Sequence, residues 1–369
     1  MTQTLPVTKQ ISFTGDRPTG PRHLEDFIGW LSELVHLQHE HQQLIMIADL
    51  QVITENTLDP TKIQQNIMEM GFDYLAVGID PKVTTLLIQS LVPELTELSA
   101  YYMNFVPHDR LLRYHRVKHR IKQLSGVPTS FVYYPISQAA EITAFKANLV
   151  PVWSGHIPMV EFVREVVRRF NRTYKCSVLV EPKQLLLQSA KLPRIDGSSN
   201  MSNGIALKDD ADTVRQKVRS MVTDPNHLRI EDPGTVVGNP VFAYLDIFDP
   251  DREGLQALKE HYQQGGLADS VVKRRLTEVL LAVLDPIRAR REEFAKDPAE
   301  VMRILKEGTM VARAIAARTL AEIRQAMRID YFVPADVVEL SGAMVRTLTE
   351  SDLVLPEEPQ SAFGPKKQF

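Results

Sequence analysis

Thr14-Gly15-Asp16-Arg17-Pro18-Thr19-Gly20-Pro21 follows a short apolar run, Gln10 to Phe13, and precedes a helical pattern that starts near His23 and runs through Phe27, Ile28, Trp30, Leu31 and Leu34. Apolar residues at helical spacing directly after a glycine- and proline-rich turn read as strand, turn, helix. The alternation continues. Gln43 to Ala48 reads as a buried strand ending at Asp49, Pro60 to Met70 as a helix, and Tyr74 to Val77 as a strand ending in Gly78-Ile79-Asp80-Pro81. Strands alternating with helices predict βαβ units on a parallel sheet, hence an α/β fold. Ligands bind such sheets beyond the carboxyl ends of the strands, so topology alone puts Thr14 to Gly20 and Asp49 at a candidate site. Topology does not say what binds there.

The second half reads differently. From Asp209 to about Leu245 turn signals dominate, and beyond Pro250 the chain is almost wholly helical in pattern. Leu276, Val279, Leu280, Val283, Leu284 and Ile287 fall at helical spacing within Val271 to Phe294, and Met302, Leu305, Val311, Ile315 and Leu320 repeat it within Pro298 to Met327. A helical second domain is expected. The run Arg288-Ala-Arg-Arg-Glu-Glu reads as a solvated helix face before it reads as a phosphate contact. Pro334 onward is a mixed tail with a short helical pattern around Val337 to Leu348.

Composition narrows the function classes. Lys and Arg number 43 against 46 Asp and Glu, a net charge of −3, and 44% of residues are hydrophobic. That balance excludes a nucleic-acid binder held by bulk charge, but not a local basic surface. A single cysteine, Cys176, excludes an intrachain disulfide and a Cys-rich zinc site, so a reducing cytoplasm is expected. Beside an apolar strand, Ser177-Val-Leu-Val, Cys176 itself reads as a small buried hydrophobe. Met1 to Lys9 lacks the apolar core of a signal peptide, and no stretch approaches the roughly 18 to 20 apolar residues of a membrane span.

Several segments resemble the tryptophanyl-tRNA synthetases, close relatives of the tyrosyl enzymes in class I. Thr14 to Leu24 is similar to the segment that leads into the family's HIGH signature, and Ile47-Ala48-Asp49-Leu50 to the strand after it. Tyr134-Pro-Ile-Ser-Gln-Ala-Ala140 resembles the helix that lines the tryptophan pocket, and Val150-Pro151-Val152 leads into the next site loop. Thr223-Asp-Pro-Asn-His227 and the helical C-terminal half resemble the link and the anticodon-binding domain. The resemblance implies a Rossmann-like parallel-sheet domain over 1–205, a linking segment over 206–225, an all-helical anticodon-binding-like domain over 226–332, a C-terminal extension over 333–369, and a homodimer. It also implies pocket residues: Phe13 and Tyr134 against the tryptophan ring, Gln138 beside them, and Glu141 where the family has an aspartate that accepts the indole N–H. For both aromatics, plain core packing is the reading without the resemblance.

The departures fall where the family does its chemistry. Where the first signature ends in His-(Ile/Leu)-Gly-(His/Asn), this chain has His23-Leu24-Glu25-Asp26. A Cβ with a carboxylate at the glycine position should clash with adenine and repel phosphates, so Glu25 argues against ATP. Where the family has Lys-Met-Ser-Lys-Ser, the chain reads Asn200-Met201-Ser202-Asn203-Gly204. Those lysines act on the pyrophosphate, and each preorganised donor of that kind is worth roughly 2.7 to 4 kcal/mol. The loop that reads Gly-x-Asp-Gln in the family reads Trp153-Ser154-Gly155-His156. Relative to the family pattern, Glu25, Asp26, Asn200 and Asn203 together subtract about four units of charge where phosphates sit.

The residues that arrived are chemically concentrated. Glu25, Asp26, Glu141 and His156, beside His23, are expected to surround one cleft as acid, base or metal-ligating groups, with His23, Asp26, Glu141 and His156 as the candidate metal set and His23 with His156 as a candidate haem pair. His36, His39 and His41 read as a solvated turn, and the basic segment from Arg110 to Lys122 as either an exposed amphipathic helix or an anion contact. The expectation is a synthetase-like protein that binds tryptophan or a related indole and has left ATP-dependent tRNA charging, as a specialised-metabolism enzyme or a sensor. Two alternatives stand beside it. One is an active ATP-dependent tryptophan–tRNA ligase with variant signatures, in which the basic segment replaces the lysines. The other is a metal- or haem-dependent enzyme acting on an indole.

Overall fold

The structure is a computed structural model that describes residues 9–53, 60–123, 127–187, 192–193, 195 and 204–331. By internal contacts the chain divides into Met1–Leu320 and Ala321–Phe369. The first unit holds the sheet, the cleft and most of the helices, and the described residues of the second continue the helix Pro298–Met327. The tail beyond Pro334, with the pattern at Val337 to Leu348, lies outside the described residues.

Five strands, β1 (Ile11–Asp16), β2 (Gln42–Ile47), β3 (Thr84–Ile88), β4 (Leu149–Val152) and β5 (Lys183–Leu186), form one sheet in the order β3-β2-β1-β4-β5. Every pairing is parallel. With helices between the strands, this is the α/β, Rossmann-like sheet expected, followed by a helical C-terminal region from Pro240 to Met327. Leu44, Ile45, Met46 and Ile47 of β2 are all buried, as a strand covered on both faces requires. The order places β1 at the centre, so the turn that follows Asp16 opens at the carboxyl edge of the sheet. Among the described residues no helix is long and apolar enough to cross a membrane.

Three local expectations are corrected. Tyr74 to Val77 is not a strand but the last turn of the helix Pro60–Val77, and the strand is the later Thr84–Ile88. Tyr74, Leu75, Ala76 and Val77 are all buried, and a short helix end buried all round has the same apolar run as a buried strand. Ser177 to Val180 forms no strand, and Cys176 is only half-buried, its thiol pointing to Asn171 Oδ1 at 3.6 Å. The Arg288 to Glu293 run is only in part a solvated face: Ala289, Arg290, Glu292 and Glu293 are exposed, but Arg288 and Arg291 are half-buried and all three arginines are engaged. Arg291 pairs with Asp73 at 2.7 Å and Glu69 at 2.6 Å, Arg290 donates to the Ala76 carbonyl at 2.6 Å, and Arg288 donates to the Asp209 carbonyl at 3.0 Å.

Arg291 belongs to a largely buried network that fixes the first turn. Arg22 pairs with Asp16 at 2.7 Å, and Asp16 also accepts from the Tyr74 hydroxyl at 2.8 Å. Burial raises the pKa of Asp16, with Arg22 and the Tyr74 hydroxyl working against that rise. The backbone N–H of Arg22 donates to Asp73 at 2.9 Å, so one fully buried carboxylate holds both the turn and Arg291 of the helix Asp269–Lys296. The helix Pro298–Met327 closes the β3 edge: the Ile88 N–H donates to Thr309 Oγ1 at 3.1 Å, and a Cβ on Gly308 would come within 2.0 Å of the Leu86 carbonyl oxygen. Replacing Asp73 by alanine removes one of the two carboxylate partners of Arg291 and leaves the buried Arg22 N–H without its acceptor, so Asp73→Ala should cost about 1 to 3 kcal/mol, read as a lowered urea midpoint. A change within about 0.5 kcal/mol, the usual range for a surface site, would contradict the network's structural role.

Candidate functional site

A cleft opens at the carboxyl ends of the central strands. Phe13, Thr14, Gly15 and Asp16 of β1 form one wall, Val150 to Trp153 another, and Trp30, Gln51, Gln138, Glu141, His156 and Met159 complete the lining. Phe13 is buried and stacks on Phe145 with centroids 5.4 Å apart, so one ring edge of the cleft is fixed by core packing. Trp30 meets both Tyr74 and Trp153 edge-on, at 6.3 and 6.5 Å, and Trp153 in turn packs against the His156 ring at 5.6 Å. The guanidinium of Arg22 lies 5.9 Å over Trp30, so the aromatic wall rests on the same network that holds the turn.

Glu141 sits on the buried face of the helix Thr129–Ala144 and is itself buried. Its Oε1 accepts from Gln89 Nε2 at 2.6 Å, Ser137 Oγ at 2.8 Å and Gln51 Nε2 at 2.9 Å, whereas Oε2 accepts only from Gln51 at 3.1 Å. One oxygen is saturated and the other keeps acceptor capacity. Burial pushes the Glu141 carboxyl up to about 7 even though three side chains donate to it.

His156 ends the short turn Ser154–His156, and its Nε2 lies 2.5 Å from Nη2 of Arg116, which reaches over from the helix His115–Gln123. Burial pushes the imidazole down to about 4, and the charges of Arg116 and Arg17 push in the same direction. The ring is therefore neutral near pH 7.

The expected sites separate in space. Phe13, Gln138, Glu141, Trp153 and His156 line the cleft, but Tyr134 does not. It packs against Tyr114 at 5.9 Å and Phe131 at 5.5 Å, which is the core reading of that aromatic. His23, Glu25 and Asp26 are half-buried at the start of the following helix and are not part of the lining. The carboxylate of Asp26 accepts from the His23 backbone N–H at 2.8 Å, a helix cap. The five titratable groups do not converge, and among the described residues no group of three or more His, Cys, Asp or Glu side chains could hold a metal ion, so the set His23, Asp26, Glu141 and His156 is not a metal centre. Asp49 begins the helix Asp49–Ile53, and its Oδ1 accepts from the N–H groups of Ser90 at 2.9 Å and Leu50 at 3.1 Å. Asn200, Ser202 and Asn203 lie outside the described residues. The segment after them returns to the first signature. Leu24 N–H donates to Ile205 O at 2.8 Å, Leu207 N–H donates to Arg22 O at 2.8 Å, and the His23 ring would sit 3.1 Å from a Cβ on Gly204.

Two functional residues escape sequence reasoning: Gln51 and Gln89 meet Glu141 from a separate helix and turn that periodicity cannot bring together, whereas Asp16 reads in the sequence only as part of the turn placed at the site and Arg116 only as part of the basic segment.

The chain matches the family model described as tRNA synthetases class I (W and Y) over residues 8–285. It is 51% identical over 340 residues to a protein named tryptophan–tRNA ligase from Streptococcus pyogenes serotype M3, covering 88% of this chain and 100% of that one. A tryptophan–tRNA ligase of Clostridium longisporum is 50% identical over 337 residues, covering 88% and 99%. Among solved structures it is similar to the tryptophanyl-tRNA synthetase of Campylobacter jejuni complexed with ADP and tryptophan, with a TM-score of 0.79, 26% identity, and coverage of 86% of this chain and 99% of that one. These relatives overturn the expectation of a repurposed protein that has left tRNA charging. Half of the residues are shared along the full length of ligases, and the altered signatures are a small set of positions within that agreement.

The raised Glu141 carboxyl has a consequence for stability. Between its ordinary value of 4.5 and about 7 the folded state binds more protons at this residue than the unfolded state does. Its contribution is therefore fully present below the lower value and is lost as pH rises through the upper one. Glu141→Gln should remove the corresponding fall in melting temperature between pH 5 and 7, measured by thermal denaturation against the parent. An unchanged pH slope would show that the carboxyl does not titrate there.

Proposed function

The chain belongs to the class I tRNA synthetases of tryptophan and tyrosine, and on that footing we propose that it is a tryptophan–tRNA ligase with variant nucleotide signatures. The observation that carries this reading is the 51% identity to tryptophan–tRNA ligase along that relative's whole length. The cleft supports it chemically. A slot between Phe13 and the Trp30–Trp153 wall, with a buried acceptor at Glu141, suits a flat ring that carries one N–H donor. Tryptophan offers that group, and it is bound in the Campylobacter jejuni neighbour.

In the reaction the tryptophan carboxylate attacks the α-phosphorus of ATP, pyrophosphate leaves, and the aminoacyl group then passes from the adenylate to the terminal ribose of tRNA. Glu141 is the acceptor for the ring N–H, and Phe13, Gln138 and Trp153 hold the ring. The nucleotide side lies by His23, Glu25 and Asp26, beside Gly204, where Leu24 pairs with Ile205 and Arg22 with Leu207 through the backbone. The two acids, and asparagines in place of the family's two lysines, leave the phosphate charge to other cations, so adenylation rather than binding limits the rate. We read 1–205 as the catalytic domain, 206–225 as the link, 226–332 as the anticodon-binding domain and 333–369 as an extension, in a cytoplasmic homodimer.

The test is charging of tRNA with labelled tryptophan and ATP. The parent should charge in a tryptophan-dependent manner, and Asn200→Lys combined with Asn203→Lys should accelerate it by about 10²-fold or more, the usual weight of a transition-state donor. No charging above a protein-free control, in the parent and in the double variant alike, would overturn the reading.

A further inference from the structure

Beside the first signature, the short turn from Gly204 to Asp209 is closed on itself by one ammonium group. Lys217, on the helix Ala211–Ser220, donates from Nζ to the Gly204 carbonyl at 2.8 Å and to Asp209 Oδ2 at 2.6 Å. The same Asp209 oxygen accepts from the Ala206 N–H at 2.8 Å, and the Asp209 N–H donates to the Ala206 carbonyl at 3.1 Å. The two adjacent acids act separately. Asp210 caps the helix by accepting from the Thr213 N–H at 2.7 Å, while Asp209 turns back to the lysine. The side chains of Lys217 and Asp209 are only 28% and 13% exposed, so their pairing is shielded from the water that makes a surface ion pair worth little. Arg288 holds the far end of the turn by donating to the Asp209 carbonyl at 3.0 Å.

The turn so closed contains the residues that pair with the first signature. His23 and Ala206 face each other in an antiparallel bridge, flanked by Leu24 N–H to Ile205 O and Leu207 N–H to Arg22 O, both at 2.8 Å. A pairing this short has little stability of its own, so what anchors its ends decides where it sits. On one side the anchor is Arg22, whose N–H is held by Asp73. On the other it is Lys217, through Gly204. The approach there is close, since a Cβ on Gly204 would lie 3.1 Å from the His23 ring. Displacement of this backbone by a fraction of an ångström therefore moves it relative to His23.

We propose that Lys217 is a positioning residue for the nucleotide: by gripping the Gly204 carbonyl and Asp209, it fixes the backbone of residues 204–207 against His23 and so sets the shape of the surface that ATP meets. The inference rests on the ligase reading for the identity of the nucleotide. Lys217 acts through the backbone, with two of its three N–H groups committed to Gly204 and Asp209.

Calorimetric titration of the full chain with ATP and, separately, with tryptophan tests this in the parent, Lys217→Met, Lys217→Arg and Asp209→Asn, with pyrophosphate exchange giving KM and kcat. Lys217→Met should bind ATP about tenfold more weakly, the weight of a charged hydrogen bond, and raise the KM for ATP by a similar factor, while tryptophan binds as in the parent. Lys217→Arg, which keeps a charged donor, should recover part of the loss. Asp209→Asn, which removes the ion pair and leaves Lys217 on Gly204, should fall between parent and Lys217→Met. Unchanged ATP affinity in Lys217→Met, or an equal loss for tryptophan, would overturn the proposal, because a lysine that only stabilises the fold does not separate the two ligands. If Lys217→Met does not fold, Asp209→Asn decides by the same comparison. Selective loss of ATP binding from a parent that charges no tRNA would sink the ligase reading and leave the positioning role standing. Charging by the parent with ATP affinity unmoved in the variants would do the reverse, and a parent that does not bind ATP would overturn both.

Discussion

Asp16 and Arg22, 2.7 Å apart and largely withdrawn from water, close the turn that follows the central strand on itself. A buried ion pair repays its desolvation only when the remaining donors and acceptors are met, and here the Tyr74 hydroxyl donates to Asp16 and the Arg17 carbonyl accepts from the guanidinium, while the Arg22 backbone N–H is held by Asp73. Asp73 then hands the constraint to Arg291, so the glycine-rich turn, the helix Pro60–Val77 and the helix Asp269–Lys296 are fixed together. Trp30 lies under Arg22, Trp153 against Trp30, and His156 against Trp153. One side of the cleft is thus an extension of the ion pair rather than an independent loop.

The cleft that results is polarised. Its inner end carries a carboxyl whose donors come from three different segments, and its outer end carries a neutral imidazole under an arginine. Desolvation acts on both residues and moves them in opposite senses, Glu141 up to about 7 and His156 down to about 4. Burial holds both groups closer to neutral than they would be in water, which avoids the large cost of two uncompensated charges in an apolar slot.

The parallel sheet was legible because the turn Thr14 to Pro21 and the alternation around it are local signals, and the C-terminal helices because their apolar spacing runs over twenty residues or more. What failed was local ambiguity and distant convergence. Tyr74 to Val77 carries an apolar run that a buried helix end and a strand share, so β3 was displaced by ten residues. Arg290 and Arg291 look like a solvated charge run until the fold brings Ala76, Asp73 and Glu69 beneath them. Glu141 and His156 were legible as cleft residues through the resemblance, but the expected union with His23, Glu25 and Asp26 was not realised, because those three belong to the helix start and to the segment returning at Gly204. The functional reading erred in a related way. It gave the altered signature positions more weight than the rest of the chain, although half of the aligned residues are shared with tryptophan–tRNA ligases along those relatives' full length.

The central claim is that this cleft activates tryptophan despite the acids and asparagines in its nucleotide signatures. Exchange of labelled pyrophosphate into ATP, followed without tRNA, isolates that step. The account predicts exchange that requires tryptophan and is not supported by tyrosine. Exchange no faster with tryptophan than without it, from folded protein that binds tryptophan, would contradict the account.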